Sequence, residues 1–271
     1  MSIEFALFIA SLAAGGLFAG FIGGLFGVGG GIVIVPALFA LFGALGVDDH
    51  VRMQVSVGTS LSTIIATSWR SLSTHAKAGA VDWTILRTWT PWISVGALIG
   101  AAILGIANKQ ALLIVFGGGL LLIALQMGFG NPNWRIYKDM PTGPARAGIA
   151  TVLGTLSAIM GIGGGAFGVT IMTLCGRPMH QAVATASGFG AAIAVPAAIG
   201  VIITGWGRAG LPPWSAGFVN VPGFVILALL SALTAPYGAR LAHTLDQRVL
   251  RRCFAIFLAI TAAKMLHDAF I

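Results

Sequence analysis

Long apolar segments, separated by short polar ones, run through this sequence from end to end. Only 8% of the 271 residues are charged, comprising 15 Lys or Arg and 7 Asp or Glu, whereas soluble domains carry about 25%. A water-soluble enzyme could not hydrate its surface with so few charges. The pattern therefore predicts an all-α, polytopic membrane protein. The apolar segments cover residues 3–26, 31–46, 53–74, 83–107, 110–128, 146–160, 165–175, 181–205, 215–240 and 246–269.

Two of these segments are too short for a helix that crosses a membrane. With a rise of 1.5 Å per residue, segment 31–46 reaches about 24 Å and segment 165–175 about 16 Å, against a hydrocarbon core of about 30 Å. A glycine cluster precedes each one, residues 27–31 in the first half of the chain and 161–165 in the second. The sequence thus predicts the same glycine-broken element twice.

The order of matching blocks indicates an internal repeat. Residues 79–127 align with 217–265 at a constant offset of 138, and 10 of the 49 paired positions are identical. The two glycine clusters match at an offset of 134, and residues 57–59 match residues 183–185 at an offset of 126. Blocks that match in the same order favour a true repeat. The inferred units are a first transmembrane repeat, a linker and a second transmembrane repeat, over residues 1–128, 129–145 and 146–271.

The distribution of basic residues tests the topology. If each glycine-broken element returns to its starting side, Lys and Arg divide 11 against 4 between the two sides; if each crosses once, they divide 7 against 8. The positive-inside rule favours the hairpin count. Each repeat then has an odd number of crossings, which predicts two inverted-topology repeats, each a glycine-broken helical hairpin plus three transmembrane helices. The linker 129–145 is expected in the cytoplasm and both termini outside.

The glycine clusters are the strongest candidates for a binding site. Non-helical backbone inside a membrane must find partners for its amide groups, and free amides at the positive end of a helix attract an anion. Alternatively, the glycines only let two helices pack closely. Neither cluster completes a GxGxxG fingerprint or a P-loop, which argues against a nucleotide site. The candidate substrate-binding glycines are Gly29, Gly30, Gly31, Gly163, Gly164 and Gly165.

Hydroxyl side chains form a polar stripe on segment 53–74. The stripe consists of Ser56, Ser60, Thr63 and Thr67, with Thr59 and Ser62 beside it. Spacings of 4, 3 and 4 place the stripe on one helix face, where hydroxyls could donate to an oxyanion without a fixed charge. Alternatively, each hydroxyl bonds to the carbonyl four residues earlier in its own helix. The candidate ligands from this segment and from its counterpart in the second repeat are Thr59, Ser60, Thr185 and Ser187.

Charged and metal-binding residue types limit the chemistry further. No acidic residue lies convincingly inside a span, which argues against cation transport. Arg52, Arg177 and His180 lie beside the short helices and could form basic vestibules that attract anions, or could simply set the topology. Scattered basic residues do not favour nucleic acid. The His and Cys spacings suggest no metal site or catalytic pair, so we expect neither an enzyme nor a cofactor.

Four motifs in this order resemble the sulfite exporter TauE/SafE family of membrane permeases. They are GLFGVGGGIVIVP at 24–36, VGTS at 57–60, GIGGG at 161–165 and AVAT at 182–185, and the likeness covers nearly the whole chain. The resemblance implies an inner-membrane transporter that moves a small sulfur-containing oxyanion such as sulfite, sulfoacetate or another organosulfonate, usually outward. The second copy has Thr185-Ala186-Ser187 where the first has Thr59-Ser60, so two half-sites of this kind would be unequal.

These observations lead to one expected function and several open alternatives. We expect a secondary transporter that holds its anion near the membrane midplane, between the two broken elements, and works by alternating access. A passive anion channel, or an importer of a related anion such as thiosulfate or a carboxylate, would use the same scaffold. The expected partners are the small anion and the lipid bilayer. Proton coupling and the oligomeric state, a homodimer included, stay open.

Overall fold

The computed structural model describes residues 3–26, 30–129, 137, 139–244 and 247–271, which form ten α-helices and one short β-hairpin. The first half contains α1 (Ile3–Phe26), α2 (Gly31–Ala44), α3 (Asp49–Lys77), α4 (Trp83–Ile106) and α5 (Lys109–Phe129). The second half contains α6 (Gly143–Ile159), α7 (Gly165–Leu174), α8 (Met179–Gly205), β1 (Ser215–Ala216), β2 (Val219–Asn220), α9 (Val221–Thr244) and α10 (Gln247–Phe270). Strands β1 and β2 are antiparallel. The candidate residue Gly29, and residues 130–136 and 138 of the predicted linker, lie outside the described residues.

Within the described part of the chain, five helices are long and apolar enough to cross a membrane. They are α4, α5, α8, the Val221–Gly238 part of α9 and the Arg252–Phe270 part of α10. Large apolar side chains on these helices face outward, including Ile106 at 84% exposure and Leu122 at 67%, as contact with lipid requires. The prediction of an all-α, polytopic membrane protein is confirmed.

Helix α3 carries the predicted hydroxyl stripe and lies among other helices. Helices α2, α5, α8 and α9 all pack against it, and every residue from Met53 to Ile64 is buried. Its polar face therefore meets protein instead of lipid, where hydroxyl groups can find partners. The helix begins at Asp49, four residues before the predicted segment, because the Asp48 side chain caps it by accepting from the His50 amide at 2.9 Å.

The predicted repeats pair α1 to α5 with α6 to α10, and the helix contacts can be compared on that pairing. Helix α1 packs against α9, and its counterpart α6 packs against α4. Helix α2 packs against α3, as α7 does against α8. The pairs α3–α8 and α5–α10 join counterparts directly. Each of these contacts therefore recurs when the two repeats are exchanged.

Close contacts at glycines give the directions of the helices. The contacts along α1 and α9 include Gly16–Leu230 and Gly20–Thr234, and those along α4 and α6 include Gly96–Thr151 and Gly100–Thr155. Residue numbers rise together in both pairs, so the paired helices are parallel. Asp82, just after α3, contacts Thr185 near the start of α8, so α3 and α8 are antiparallel. Helix α4 follows α3 and helix α9 follows α8, so α4 and α9 start from opposite ends of that antiparallel pair and run in opposite directions. Because α6 is parallel to α4 and α1 is parallel to α9, helices α1 and α6 also run in opposite directions.

The short helices α2 and α7 start inside the protein. Gly31 lies beside Ile64 and Gly43 beside Arg52 along α2 and α3, while Gly164 lies beside Ile193 and Gly168 beside Ala186 along α7 and α8. Each short helix is therefore antiparallel to the long helix that follows it. Gly30 and residues 161–164 are buried, so both glycine breaks lie in the core of the molecule.

Candidate functional site

The two glycine breaks meet each other in the core. A Cβ on Gly31 would lie 2.6 Å from the Gly161 carbonyl oxygen and 3.1 Å from Ile162 Cα, so only glycine allows this approach of two backbones. The Ser60 hydroxyl donates to the same Gly161 carbonyl at 2.8 Å. Gly30 and Gly161 have φ angles of 76° and 62°, a region that favours glycine. Close packing of the backbone explains the glycines at 31 and 161, and the left-handed conformation explains the glycine at 30.

Thr59 and Thr185 make equivalent hydrogen bonds between the two repeats. The Asn220 amide donates to Thr59 Oγ1 at 3.0 Å, and the Asp82 amide donates to Thr185 Oγ1 at 2.9 Å. Asp82 and Asn220 are equivalent positions at the repeat offset of 138, and each lies directly before a helix, α4 and α9 respectively. Each threonine therefore holds the first residues of a helix in the opposite repeat. The candidate hydroxyls of Thr59, Ser60 and Thr185 all have protein partners and are buried, and the fourth candidate, Ser187, donates to the Ala184 carbonyl at 2.6 Å.

The remaining stripe hydroxyls bond within α3. Ser56 donates to the Arg52 carbonyl at 2.7 Å, Ser62 to the Gly58 carbonyl at 3.1 Å and Thr63 to the Thr59 carbonyl at 3.0 Å. These are the bonds to the preceding turn that the sequence left as the alternative to ligand binding. The stripe thus supports the helix interior and its contacts.

A cavity of about 50 Å³ lies between α3, α7 and α8, beside the second glycine break. Its volume could hold about three to five water molecules, each of which needs about 10–15 Å³ by the same measure. Three candidate residues line it, Gly163, Gly165 and Ser187, whereas Gly164 packs against Phe189. The other lining residues are Thr67, Ser68, Ser71, Val169, Val183, Ala186 and Gly190.

The backbone at the start of α7, where Gly163 and Gly165 line this cavity, has free donors. Within the described residues, the amides of Gly163, Gly164 and Gly165 donate no hydrogen bond. They lie at the N-terminal end of a helix, where the helix dipole is positive. The lining carries no charged side chain. Uncharged donors and a positive helix end favour a small anion that can leave again.

Two serines in the lining were not among the sequence candidates. Ser68 is buried, at 7% exposure, and Ser71 is half-buried. The stripe chosen from the sequence ended at Thr67, and Ser68 is one position off its spacing. A longer window would have shown that Ser68 and Ser71 are three residues apart and therefore share a face.

The first-repeat counterparts of two cavity-lining residues are buried apolar side chains. At the offset of 126, Ser187 and Gly190 correspond to Leu61 and Ile64, and both of these are fully buried. The Cδ1 atom of Ile64 also lies 2.9 Å from where a Gly31 Cβ would be. The two halves therefore differ in packing as well as in hydroxyl content.

The three vestibule candidates do not form one group. The Arg52 guanidinium pairs with Asp49 at 2.9 Å and lies 4.3 Å above the Phe39 ring, while Arg177 pairs with Asp139 at 2.7 Å. Because α3 and α8 are antiparallel, Arg52 and Arg177 lie at opposite ends of the molecule. His180 is exposed in the first turn of α8.

The pairing at Arg52 extends to a second basic side chain. Lys109 donates to the other carboxylate oxygen of Asp49 at 2.9 Å. This hydrogen bond lowers the pKa of Asp49 below its ordinary value. The carboxylate thus compensates the charge of Arg52 and ties α3 to α5.

Comparison with known proteins identifies the family. Residues 12–265 match the family described as Sulfite exporter TauE/SafE. The chain belongs to the TauE/SafE family. It is 30% identical to a probable membrane transporter protein of Haemophilus influenzae, over 96% of this chain and 98% of that protein. It is 27% identical to the probable membrane transporter protein MJ0441 of Methanocaldococcus jannaschii, over 96% and 94%. No solved structure matches the chain.

Family membership agrees with the architecture of the molecule. TauE/SafE is described as an exporter family and the relatives as membrane transporters, and this chain has the apolar helices of a multi-pass membrane protein. The resemblance drawn from the four motifs is confirmed. In this TauE/SafE protein the second glycine motif, at 161–165, is the one that borders the cavity.

Proposed function

We propose that this protein is a secondary transporter that exports a small sulfur-containing oxyanion, such as sulfite, sulfoacetate or another organosulfonate. The observation that carries the proposal is the cavity at the start of α7, with its free amides and uncharged lining. An anion that enters a membrane protein loses hydration, and amide donors with a helix dipole offset part of that cost. The family description supplies the substrate class.

The proposed anion site is narrower than the sequence candidates. The amides of Gly163, Gly164 and Gly165 contribute to it, because they lie at the cavity or at the helix start beside it. Ser187 lines the cavity, but its hydroxyl donates to the Ala184 carbonyl at 2.6 Å. Thr59, Ser60 and Thr185 act between the repeats. Gly31 allows the close approach of two backbones, and Gly30 adopts the left-handed conformation before α2. In this proposal the vestibule arginines stabilise the ends of the molecule.

The arrangement of the two halves supports alternating access. Helices α1 and α6 run in opposite directions, as inverted repeats require, and the contacts between elements recur on exchange of the repeats. A cavity in one half and close packing in the other is the asymmetry expected of a transporter that is open to one side. By the positive-inside rule, the open side is cytoplasmic, and the resemblance to TauE/SafE permeases implies the inner membrane.

Flux of labelled sulfite in liposomes tests the proposal. Purified protein should give saturable flux of labelled sulfite. Inhibition of that flux by unlabelled sulfoacetate, thiosulfate or acetate should show which of these anions the protein also binds. A flux that does not saturate would indicate a passive channel instead. Sulfite and proton gradients would then be imposed across the liposome membrane, first inward and then outward. The direction of sulfite flux would show export or import, and its dependence on the proton gradient would show proton coupling.

A single methyl group tests the location of the site. A Cβ on Gly163 would lie 3.1 Å from Ile64 Cγ2 and would take up cavity space, and the Gly163 φ angle is not positive. Gly163→Ala should therefore reduce sulfite flux about tenfold or more, the equivalent of one lost strong contact. Gly118→Ala is the matched control, because its Cβ would meet nothing within 4 Å. Equal flux in both variants would remove this cavity from the transport path.

A further inference from the structure

The hydroxyl groups of α3 divide into those with a protein partner and those without. Six donate to carbonyls three or four residues earlier, Ser60 donates to Gly161, and Thr59 accepts from Asn220. Within the described residues, Ser68 and Ser71 alone among the α3 hydroxyls make no hydrogen bond. The six helix-bonded residues are Ser56, Ser62, Thr63, Thr67, Ser73 and Thr74.

The Ser68 hydroxyl lies against the glycine break. A Cβ on Gly190 would collide with Ser68 Oγ, and a Cβ on Gly163 would lie 3.8 Å from that same atom. Ser68 is only 7% exposed. A buried hydroxyl without a partner destabilises the fold, so the position of Ser68 is favourable only if the cavity supplies an acceptor.

The chemistry of the lining indicates what that acceptor is. The residues that line this small volume include two glycines with free amides, Gly163 and Gly165, and two serines with free hydroxyls, Ser68 and Ser71. Several donors from different directions suit a ligand with several acceptor atoms close together. An oxyanion has them on one central atom, whereas a halide presents a single spherical acceptor with no preferred directions.

We propose that Ser68 and Ser71 bind the oxygen atoms of a small oxyanion, whose remaining oxygens accept from the amides of Gly163–Gly165. The inference rests on the proposed function, since this anion is the transported substrate. Ser68 lies at the buried end of the site, and Ser71, one helical turn further along α3, lies at the more exposed end. The pair is expected to select oxyanions over halides.

Equilibrium binding of sulfite to the purified protein tests this inference. Ser68→Ala and Ser71→Ala should each raise the Kd for sulfite about tenfold or more, as expected for a charge-assisted hydrogen bond. Ser73→Ala is the matched control on the same helix, because its hydroxyl bonds to the Trp69 carbonyl. The control should bind sulfite as the wild type does, and chloride should compete weakly in all of these proteins.

Thermal unfolding without sulfite separates a binding role from a structural one. Removal of an unbonded hydroxyl should leave the Tm of Ser68→Ala and Ser71→Ala at or above the wild-type value, whereas added sulfite should raise their Tm less than it raises that of the wild type. Sulfite affinities equal to the wild type in both variants would overturn this inference alone. A wild-type protein that binds neither sulfite, sulfoacetate nor thiosulfate would overturn the proposed function and the inference with it.

Discussion

At the scale of single residues, the glycines of the two motifs have different structural roles. Gly31 and Gly161 bring two backbones into contact, and no ligand is needed to explain them. Gly163 and Gly165 border a cavity and leave amides free. Glycines of the second motif alone thus serve both purposes, since Gly161 packs against the first motif while Gly163 and Gly165 border the cavity. The difference lies in what surrounds each glycine.

Gly31→Ala should lower the stability of the protein. Its Cβ would lie 2.6 Å from the Gly161 carbonyl and 2.9 Å from Ile64 Cδ1, so backbone must move, which typically costs about 1–3 kcal/mol. Gly15→Ala, with nothing within 4 Å of its Cβ, should be neutral or slightly stabilising. Thermal unfolding in detergent measures both. A Gly31→Ala protein as stable as the wild type would contradict the close backbone contact.

At the scale of elements, the connection from α8 to α9 differs most between the repeats. It spans residues 206–220, whereas the corresponding connection from α3 to α4 spans 78–82. The β-hairpin in the longer connection inserts Phe218, at 1% exposure, between Gly58 of α3 and Gly205 of α8. The Phe218 amide donates to the Val201 carbonyl at 3.2 Å. This hairpin closes the end of the α3–α8 pair opposite the cavity.

Phe218→Ala should destabilise the protein strongly. Loss of a fully buried ring leaves a void between two helices, and such changes cost about 3–5 kcal/mol. Phe129→Ala removes the same ring from an 85% exposed position and should change the unfolding midpoint little. Chemical denaturation of the two variants compares them directly. Similar midpoints would show that the hairpin does not pack into the helix pair.

At the scale of the whole molecule, two equivalent hydrogen bonds join the halves. Asn220 and Asp82 each donate an amide to a threonine of the other repeat, and their side chains cap α9 and α4 by accepting from Gly223 at 2.9 Å and Ile85 at 3.0 Å. These two hydrogen bonds, which we call the joints between the repeats, therefore lie at opposite ends of the α3–α8 pair. Any motion of one repeat against the other must change these joints.

Thr59→Val and Thr185→Val should have similar effects on stability. Each removes the hydroxyl that accepts from a backbone amide and leaves that amide without its partner, at a cost of about 1–3 kcal/mol. Thr88→Val is the control, because Thr88 bonds only to carbonyls of its own helix. Thermal unfolding compares the three proteins. A large effect from one threonine and none from the other would contradict the equivalence of the two joints.

The sequence by itself determined the class of the protein and the position of its breaks. Apolar length, glycine clusters and motif order are properties of neighbouring residues, so they predicted membrane helices, a break before residue 31 and another before 165, and the family. Short helix α2 runs over Gly31–Ala44 where 31–46 was predicted. These features are local, and local pattern suffices for them.

Only the tertiary structure decided which polar groups are free. Thr59 and Ser68 both carry a hydroxyl on α3, yet one accepts from Asn220, 161 residues away, and the other faces a cavity. The difference depends on which helix packs against each face, and no spacing within α3 encodes that. For the same reason the sequence could not show that Leu61 and Ile64 are fully buried while their counterparts, Ser187 and Gly190, line a cavity, since packing between distant segments determines the space that remains.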